Sequence, residues 1–439
     1  MKFYDRIEEL ELLNQTRENT DSGAKMTIVV GRRRIGKTSL ILKSVEERPY
    51  VYLFVSRKDE VLLCSDFINE IQRALSITIY GSFNSFNTLF DYLMELSITR
   101  MFTLIIDEFQ EFDTINSSVF SDMQQTWDRK KNNSKMNLIL SGSVLSLMKK
   151  LFENAKEPLF RRANERIFLK PFTIDTLTKI ISDDNKDYKT IDLFAFYLFT
   201  GGVAKYVELL VEKKALSMQK MINEIFRVNS FWLDEGKNLL IEEFGREYTT
   251  YFSILSLLAS GKTSRSEIES ILEKNIGGYL ERLQDHYELI KPLKPVFAKP
   301  GSRVQKYFIE DNFLNFWFRF VFKYRSAIEI GNFNYVKEIF ERDFRTFGGR
   351  FLEKWFSEKM RLSGRYSLIG NYWNKGDNEI DIVAINEREK RAVLVEVKMS
   401  SSKFDVAKLV EKSKDLAPHI KGYTIDYKLL SLDDLEISL

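Results

Sequence analysis

The sequence of 439 residues is short of the residue types that build disulfide frameworks and histidine-based sites. It has one cysteine, Cys64, and two histidines, His286 and His419. A single cysteine excludes an intrachain disulfide and is typical of a reducing compartment, so we expect a cytoplasmic protein. So few histidines argue against a histidine-based zinc site or catalytic triad.

Proline and glycine are also sparse, with 7 and 20 residues. This scarcity argues against long flexible linkers and favours packed helical domains joined by short connections. No run approaches ~18 uncharged apolar residues, and Met1–Leu10 has no apolar signal core, so we expect no membrane span and no membrane partner. The formal charge of +3 comes from interspersed charges, which neither require nor exclude nucleic-acid binding.

The stretch Gly31–Thr38 fits the pattern G-x-x-x-x-G-K-[ST]. A run of apolar or β-branched residues at 27–30 precedes it and an apolar run at 40–42 follows it. This is the strand, loop and helix order that a phosphate-binding loop requires. Backbone N–H groups of such a loop surround phosphate oxygens where no Cβ intervenes. Lys37 is predicted to reach the β and γ phosphates of ATP, and Thr38 to complete the shell of a Mg²⁺ ion. An exposed basic turn would not explain the positions of both glycines. The predicted nucleotide-binding residues are Gly31, Arg34, Gly36, Lys37, Thr38, Ser39 and Ser143.

The run 102–106 predicts an apolar strand that ends in Asp107 and Glu108. Ligands of open parallel sheets bind at the carboxyl ends of the strands. Asp107 is therefore predicted to hold Mg²⁺ through water, and Glu108 to polarise the attacking water as a general base. This strand is the third in sequence, so one strand lies between it and the phosphate-loop strand. The next strand ends at 141–143, where Ser143 either contacts the γ phosphate or the water, or caps the following helix.

Strands alternate with helical patterns over the first 172 residues, which predicts a parallel sheet covered on both faces. The pattern then becomes helical, and three helices with a hairpin indicate a winged helix. Near the end of the chain, strands return. The predicted fold is α/β, with boundaries at 1–172 (P-loop ATPase core), 173–245 (helical lid), 246–311 (winged helix), 312–345 (helical connector) and 346–439 (C-terminal α/β domain).

On these motifs, residues 1–300 resemble the archaeal-type P-loop ATPases related to the AAA+ and STAND groups. Tyr4–Leu10 is similar to that family's amino-terminal G-R-E-x-E-L box, with Asp5 where glycine is usual. The segment 200–206 resembles the T-G-G-x-P-x-Y segment of its helical lid, with Ala204 in place of proline. The resemblance implies ATP and Mg²⁺ as cofactors and a possible homo-oligomer.

The segment 158–162 resembles the family's P-L-Y-G-R segment, with Arg161 in place of glycine. By that similarity, Arg162 is predicted to be an arginine finger, supplied either to its own site or to a neighbour's. The aromatic and basic run 316–325 fits a buried helical stripe better than a stacking platform for single strands.

Two β-rich runs, Glu379–Ile385 and Val393–Lys398, flank a polar turn and predict a hairpin. The start of the first strand then lies beside the end of the second, which brings Asp381 next to Glu396, with Lys398 on the same face. Two carboxylates can hold a Mg²⁺ or Mn²⁺ ion while a lysine orients or activates water. The set is a workable site for phosphodiester hydrolysis.

With Glu353 on the predicted helix Phe351–Met360, this set resembles the PD-(D/E)XK restriction-endonuclease-like superfamily over about 346–420. The resemblance implies catalytic roles for Glu353 and Lys398 and metal ligation by Asp381 and Glu396. Members of that fold either cleave or only bind, and a salt-bridged strand edge is the structural alternative.

Two functions follow from these patterns. In the first, the protein binds and hydrolyses ATP and acts on DNA or RNA through a nuclease-like C-terminal domain. In the second, it is a nucleotide-dependent switch or scaffold whose C-terminal domain binds a partner without cutting it.

Overall fold

The computed structural model describes residues 1–244, 248–299, 301–302, 304–374 and 378–437, without the side chains of residues 242, 243 and 403. The chain forms two compact units, Phe3–Pro171 and Met1–Lys2 with Phe172–Leu439. Among the described residues, no helix is long and apolar enough to cross a membrane.

The unit Phe3–Pro171 is built on a five-stranded sheet. Its strands are β1 (Lys25–Val30), β2 (Tyr50–Phe54), β3 (Phe102–Asp107), β4 (Met136–Gly142) and β5 (Glu165–Phe168). All neighbours pair in parallel, in the order β2–β3–β4–β1–β5. β3 and β4 are buried along their whole length, as strands covered on both faces are. In space it is β4 that separates the phosphate-loop strand from the acidic strand, whereas β2, which lies between them in sequence, is at the sheet edge.

Helices cover this sheet. They are α1 (Ile7–Glu18), α2 (Lys37–Ser44), α3 (Glu60–Leu75), α4 (Phe86–Thr99), α5 (Phe112–Ile115), α6 (Ser118–Lys130) and α7 (Leu145–Glu153). α3 buries residues three or four positions apart, among them Leu63, Phe67 and Ile71, which is the apolar stripe of a helix packed on a sheet. Cys64 is fully buried in the same core cluster and is therefore a packing residue.

The unit that begins at Phe172 is mainly helical. Its helices are α8 (Ile174–Asp184), α9 (Thr190–Thr200), α10 (Ala204–Glu212), α11 (Met218–Ile225), α12 (Phe231–Phe244), α13 (Tyr248–Ala259), α14 (Arg265–Leu272), α15 (Gly277–Glu281), α16 (Asn312–Phe316), α17 (Arg325–Glu329), α18 (Phe333–Leu362) and α19 (Val406–Ser413). Wider π-helical turns at Arg282–His286 and Trp317–Phe322 extend α15 and α16. α9 is buried on every side from Asp192 to Thr200, so it is the central helix of this unit.

Two sheets complete the unit. A hairpin of β6 (Ile290–Leu293) and β7 (Lys306–Ile309) follows α13, α14 and α15. The second sheet contains β8 (Leu368–Trp373), β9 (Glu379–Asn386), β10 (Arg391–Lys398) and β11 (Thr424–Ser431), in the order β11–β10–β9–β8. β8, β9 and β10 are antiparallel neighbours, and β11 is parallel to β10. The predicted α/β fold class, with a P-loop type parallel sheet and a C-terminal α/β domain, is confirmed, and the C-terminal sheet is mixed.

The predicted subdivision of 173–439 stays a prediction, and two of its boundaries have particular positions. The 245/246 boundary falls outside the described residues. The 345/346 boundary falls inside α18, which continues through Gly348 and Gly349. A Cβ on Gly348 would lie 3.1 Å from Phe194 Cε1 and 3.4 Å from Met399 Cε, so this glycine allows close packing within a continuous helix.

The loop between β6 and β7 is part of the C-terminal core. Val296 is buried in the cluster formed by Ile380, Val383 and Leu394, and its N–H donates to the carbonyl oxygen of Asn371 at 2.8 Å. The loop therefore supplies apolar surface that the mixed sheet needs on one face.

We predict that Val296→Asp lowers the free energy of unfolding by about 3 kcal/mol, because a carboxylate would be buried in an apolar core. Val304→Asp, in the same loop at 42% exposure, should change it by less than about 0.5 kcal/mol. Urea denaturation followed by tryptophan fluorescence measures both. Equal losses in the two variants would contradict the assignment of Val296 to the core.

Candidate nucleotide and metal sites

The loop between β1 and α2 requires its two glycines for different reasons. A Cβ on Gly31 would lie 2.8 Å from the carbonyl oxygen of Leu169, so the close approach of the chain after β5 excludes a side chain. Gly36 has a φ of 97° and directly precedes α2. Arg34 also lies in the left-handed region, with a φ of 68°. The loop therefore curves back on itself and delivers the next residues to the first turn of α2.

Lys37 points back into this loop. Its Nζ donates to the carbonyl oxygens of Gly31 at 2.8 Å and Arg32 at 3.2 Å, and the side chain is buried. Burial lowers the pKa of Lys37, while the nearby charges of Glu108 and Asp107 oppose that shift. Because its present partners are neutral carbonyls, the ammonium can exchange them for phosphate oxygens without breaking an ion pair.

The phosphate loop and the acidic strand meet at Thr38 and Asp107. The Thr38 hydroxyl lies 3.0 Å from Asp107 Oδ2, which also accepts a hydrogen bond from the Tyr52 hydroxyl at 2.6 Å. Burial and the bond to Asp107 raise the pKa of Tyr52, so its proton stays on the phenol. Sequence reasoning missed Tyr52, because its contact depends on β2 lying beside β3.

Glu108 is held by side chains from two strand ends. Ser143 donates to Glu108 Oε2 at 2.6 Å, and the amide nitrogen of Gln110 donates to the same oxygen. The helix-cap alternative for Ser143 is not what the structure has, because Val144 is the N-cap residue of α7. Ser39 lies exposed in the first turn of α2.

The donor set here suits a magnesium nucleotide. Thr38 and Asp107 present a hydroxyl and a carboxylate, which are the hard oxygen ligands that Mg²⁺ prefers alongside water and phosphate. The first turn of α2, which has no side-chain cap among the described residues, adds backbone N–H groups that lack intrahelical acceptors and the positive end of the helix dipole. Gln110 Oε1 and Ser141 Oγ, at the ends of β3 and β4, are buried without a hydrogen-bond partner among the described residues.

Arg162 is engaged elsewhere in its own unit. It donates to Asp128 Oδ2 at 3.0 Å and to the carbonyl oxygen of Phe160 at 2.8 Å. Burial tends to raise the pKa of Asp128. The hydrogen bond and the positive charge of Arg162 outweigh burial and lower this pKa overall. The arginine-finger role stays a prediction, and it requires Arg162 to release Asp128.

The two positions where the related family has glycine keep a glycine-like backbone. Arg161 has a φ of 57° and Asp5 a φ of 60°, both in the left-handed region that favours glycine. The departures in sequence therefore do not remove the turns. Asp5 and Arg161 instead adopt a backbone conformation that is strained for residues with a Cβ.

The second predicted group also comes together. Lys398 Nζ lies 2.8 Å from Glu396 Oε1 and 3.6 Å from Asp381 Oδ2. Asp381 Oδ2 also accepts the N–H of Val397 at 2.7 Å. Burial raises the pKa of Asp381, with the Val397 hydrogen bond opposing the shift. Burial lowers the pKa of Lys398, but its bond to Glu396 raises it overall, so the ammonium is charged at neutral pH.

Two further residues at this site were not predicted from the sequence. Lys412, on α19, lies 3.0 Å from Glu396 Oε2. The side-chain amide of Asn371 donates to the carbonyl oxygen of Asp381 at 2.6 Å from a bulge in β8. The contact of Lys412 could not be predicted from the sequence, because it depends on how α19 packs against β10.

Glu353 lies close to this group from α18. Burial, with the charges of Asp381 and Glu379, raises the pKa of Glu353 to about 8. Among the described residues, no three His, Cys, Asp or Glu side chains are arranged to hold a metal ion. Asp381 and Glu396 still fit Mg²⁺, which is often bound by one or two carboxylates with water and substrate phosphate completing its shell.

The parallel sheet, its phosphate loop and the acids across from it define a P-loop ATPase. Residues 3–210 match a family model described as an ATPase domain predominantly from Archaea. Residues 317–410 match DUF234, described as "Archaea bacterial proteins of unknown function". The chain is 31% identical to the uncharacterized protein MJECL04 of Methanocaldococcus jannaschii, over 99% of this chain and 94% of that protein. It belongs to the same family as that protein.

Two solved structures are similar in fold. The Walker-type ATPase PABY2304 of Pyrococcus abyssi has a TM-score of 0.55 at 21% identity and covers 72% of this chain and 96% of its own. The ORC2 protein of Aeropyrum pernix has a TM-score of 0.53 at 14% identity and covers 75% and 95%. These similarities support the ATPase fold.

We predict that Arg161→Gly raises the free energy of unfolding by up to about 1 kcal/mol, because glycine adopts this backbone without strain. Arg161→Ala keeps the strain and should give no gain. Thermal unfolding of the two variants beside the native sequence measures the difference. If alanine stabilises as much as glycine, the effect comes from the lost side chain and the strain argument fails.

Proposed function

We propose that this ATPase couples nucleotide turnover to an acidic site in its C-terminal domain that acts on DNA or RNA. The observation that carries the proposal is the presence of two separate groups suited to phosphate chemistry in one chain. Lys37, Thr38 and Asp107 form the first. Asp381 and Glu396, with Lys398 between them, form the second.

At the first group, the backbone of Gly31–Thr38 and the Lys37 ammonium hold the phosphates of ATP. Thr38 and Asp107 hold Mg²⁺, which supplies charge neutralisation at the phosphates. Glu108 orients and polarises the attacking water, and Ser143 keeps this carboxylate in place. The ORC2 structure with a similar fold was solved with ADPNP and ADP, which supports nucleotide binding by this scaffold.

We expect Glu108→Gln to lower the ATP hydrolysis rate by about 10²–10⁴-fold, because glutamine cannot accept the proton of the attacking water. ATP affinity should stay near that of the native protein, since Lys37 and the loop backbone are unchanged. Phosphate release and nucleotide titration measure the two quantities. The matched control is Glu111→Gln, three residues on, whose carboxylate pairs with Arg57 at 2.8 Å. Unchanged turnover in Glu108→Gln would remove the general-base role.

At the second group, Asp381 and Glu396 are the proposed metal ligands, and Lys398 and Lys412 supply positive charge for a phosphodiester. Glu353 is the carboxyl proposed to act catalytically beside them, and burial with the neighbouring carboxylates raises its pKa. Mg²⁺ or Mn²⁺ would polarise the scissile phosphate there. These roles follow from the donor chemistry and from the resemblance to the PD-(D/E)XK superfamily.

If this group cleaves, Asp381→Asn should reduce Mn²⁺-dependent cleavage of labelled DNA or RNA by at least about 10²-fold, because half of the proposed metal ligand set loses its charge. Glu387→Gln, at an exposed position in the turn between β9 and β10, is the control and should cleave normally. Single- and double-stranded substrates are tested with and without ATP. Intact substrates throughout, with native protein, would remove the nuclease proposal.

The second candidate function is a nucleotide-dependent switch or scaffold whose C-terminal domain binds without cutting. It is favoured by the ion pairs of Glu396 with Lys398 and Lys412, which already neutralise this carboxylate. A sedimentation profile that differs between ADP and a non-hydrolysable ATP analogue would support it. The same profile in both states would count against it.

A further inference from the structure

A cavity of about 480 Å³ lies within the Phe172–Leu439 unit, and none of its described lining residues belongs to the two groups described above. Its walls come from α12, α13, α14 and the segment from Trp317 to Arg325. Small-molecule sites in proteins are commonly about 300–1,000 Å³ and mostly apolar, with a few polar groups that orient the ligand. The size and lining of this cavity are those of a small-molecule site.

Three aromatic rings form one wall of the cavity. Trp317 and Phe322 have ring centroids 5.5 Å apart, and Phe252 lies 5.6 Å from Phe322. The Trp317 indole N–H donates to the carbonyl oxygen of Leu233 at 2.9 Å. A Cβ on Gly236 would lie 2.3 Å from Trp317 Cδ2, so glycine leaves the room in which the indole lies against α12. This aromatic wall is fixed by its own contacts and suits a flat apolar ligand.

Among the described lining residues, the charged side chains have one sign. Lys237 and Arg325 are the two cations, and the other polar side chains among the described lining residues are hydroxyls, such as those of Thr249 and Ser253. Lys237 is half-buried and makes no hydrogen bond or ion pair within the described part of the chain. Arg325 pairs with Glu329 through Nε at 2.7 Å. The Lys237 ammonium therefore has donors to offer a ligand, and a charge-assisted hydrogen bond to an anion is stronger than one to a neutral group.

We propose that this cavity binds a small organic anion with a flat apolar body. The aromatic or branched body packs on Phe252, Trp317 and Phe322, and its carboxylate or sulfonate pairs with Lys237 and Arg325. Its described lining shares no residue with the ATPase and C-terminal groups, and the proposal goes beyond the proposed function. Because its walls come from both α12 and the α13–α14 pair, bound ligand would hold these two parts of the unit together.

The full-length protein is titrated with 8-anilinonaphthalene-1-sulfonate, an aromatic monoanion whose fluorescence rises in apolar surroundings. N-phenyl-1-naphthylamine, which lacks the sulfonate, is the matched neutral probe. We expect saturable binding of the anion at one site per chain, and at least tenfold weaker binding of the neutral probe. Lys237→Gln should weaken the anion at least fivefold and leave the neutral probe unchanged.

Lys323→Gln is the matched control, because Lys323 is an exposed cation on the same segment outside the cavity. Ser253→Trp should fill the cavity and abolish binding of both probes, with circular dichroism showing that the variant is folded. Anion binding that is equally strong in Lys237→Gln and in the native protein would overturn the proposal. So would binding that survives in a folded Ser253→Trp variant, or a signal that does not saturate.

Discussion

The hydrogen bond between Thr38 and Asp107 holds the nucleotide site together. It joins the first turn of α2 to the end of β3, although β4 lies between β1 and β3 in the sheet. The contact is possible because the three strands are parallel, so their carboxyl ends lie on the same side of the sheet. Tyr52 fixes the same carboxylate from β2, so Asp107 is positioned by groups on both sides.

The nucleotide group and the C-terminal group differ in the hydrogen-bond partners of their lysines. Lys37 bonds to neutral carbonyl oxygens, so an incoming phosphate gains a charged partner without displacing another anion. At the C-terminal group, Glu396 is already paired with Lys398 and Lys412, and a metal ion or phosphodiester must compete with those ion pairs. The first group is prepared for an anion, whereas the second has to rearrange its charges.

Sequence patterns predict what depends on local geometry. The spacing of Gly31, Gly36 and Lys37 specifies a phosphate loop, and a short hairpin specifies that Asp381 lies beside Glu396. Contacts set by non-local packing escape this reasoning, because they require the strand order or the position of a helix. Tyr52 contacts Asp107 only because β2 pairs with β3. The predicted boundary at 345/346 falls inside α18, and Gly348 within that helix allows close packing without ending it.

The burial of Val296 in the C-terminal sheet has a consequence for how this architecture can be divided and inherited. Residues from 346 onward are a continuous piece of sequence, but part of their apolar interior is contributed from about fifty positions upstream. A gene fragment that encodes only the last segment would therefore expose a gap where Val296 belongs. Recombination that transferred this sheet to another protein would also have to transfer the β6–β7 hairpin. We therefore expect the hairpin and the sheet to be inherited together.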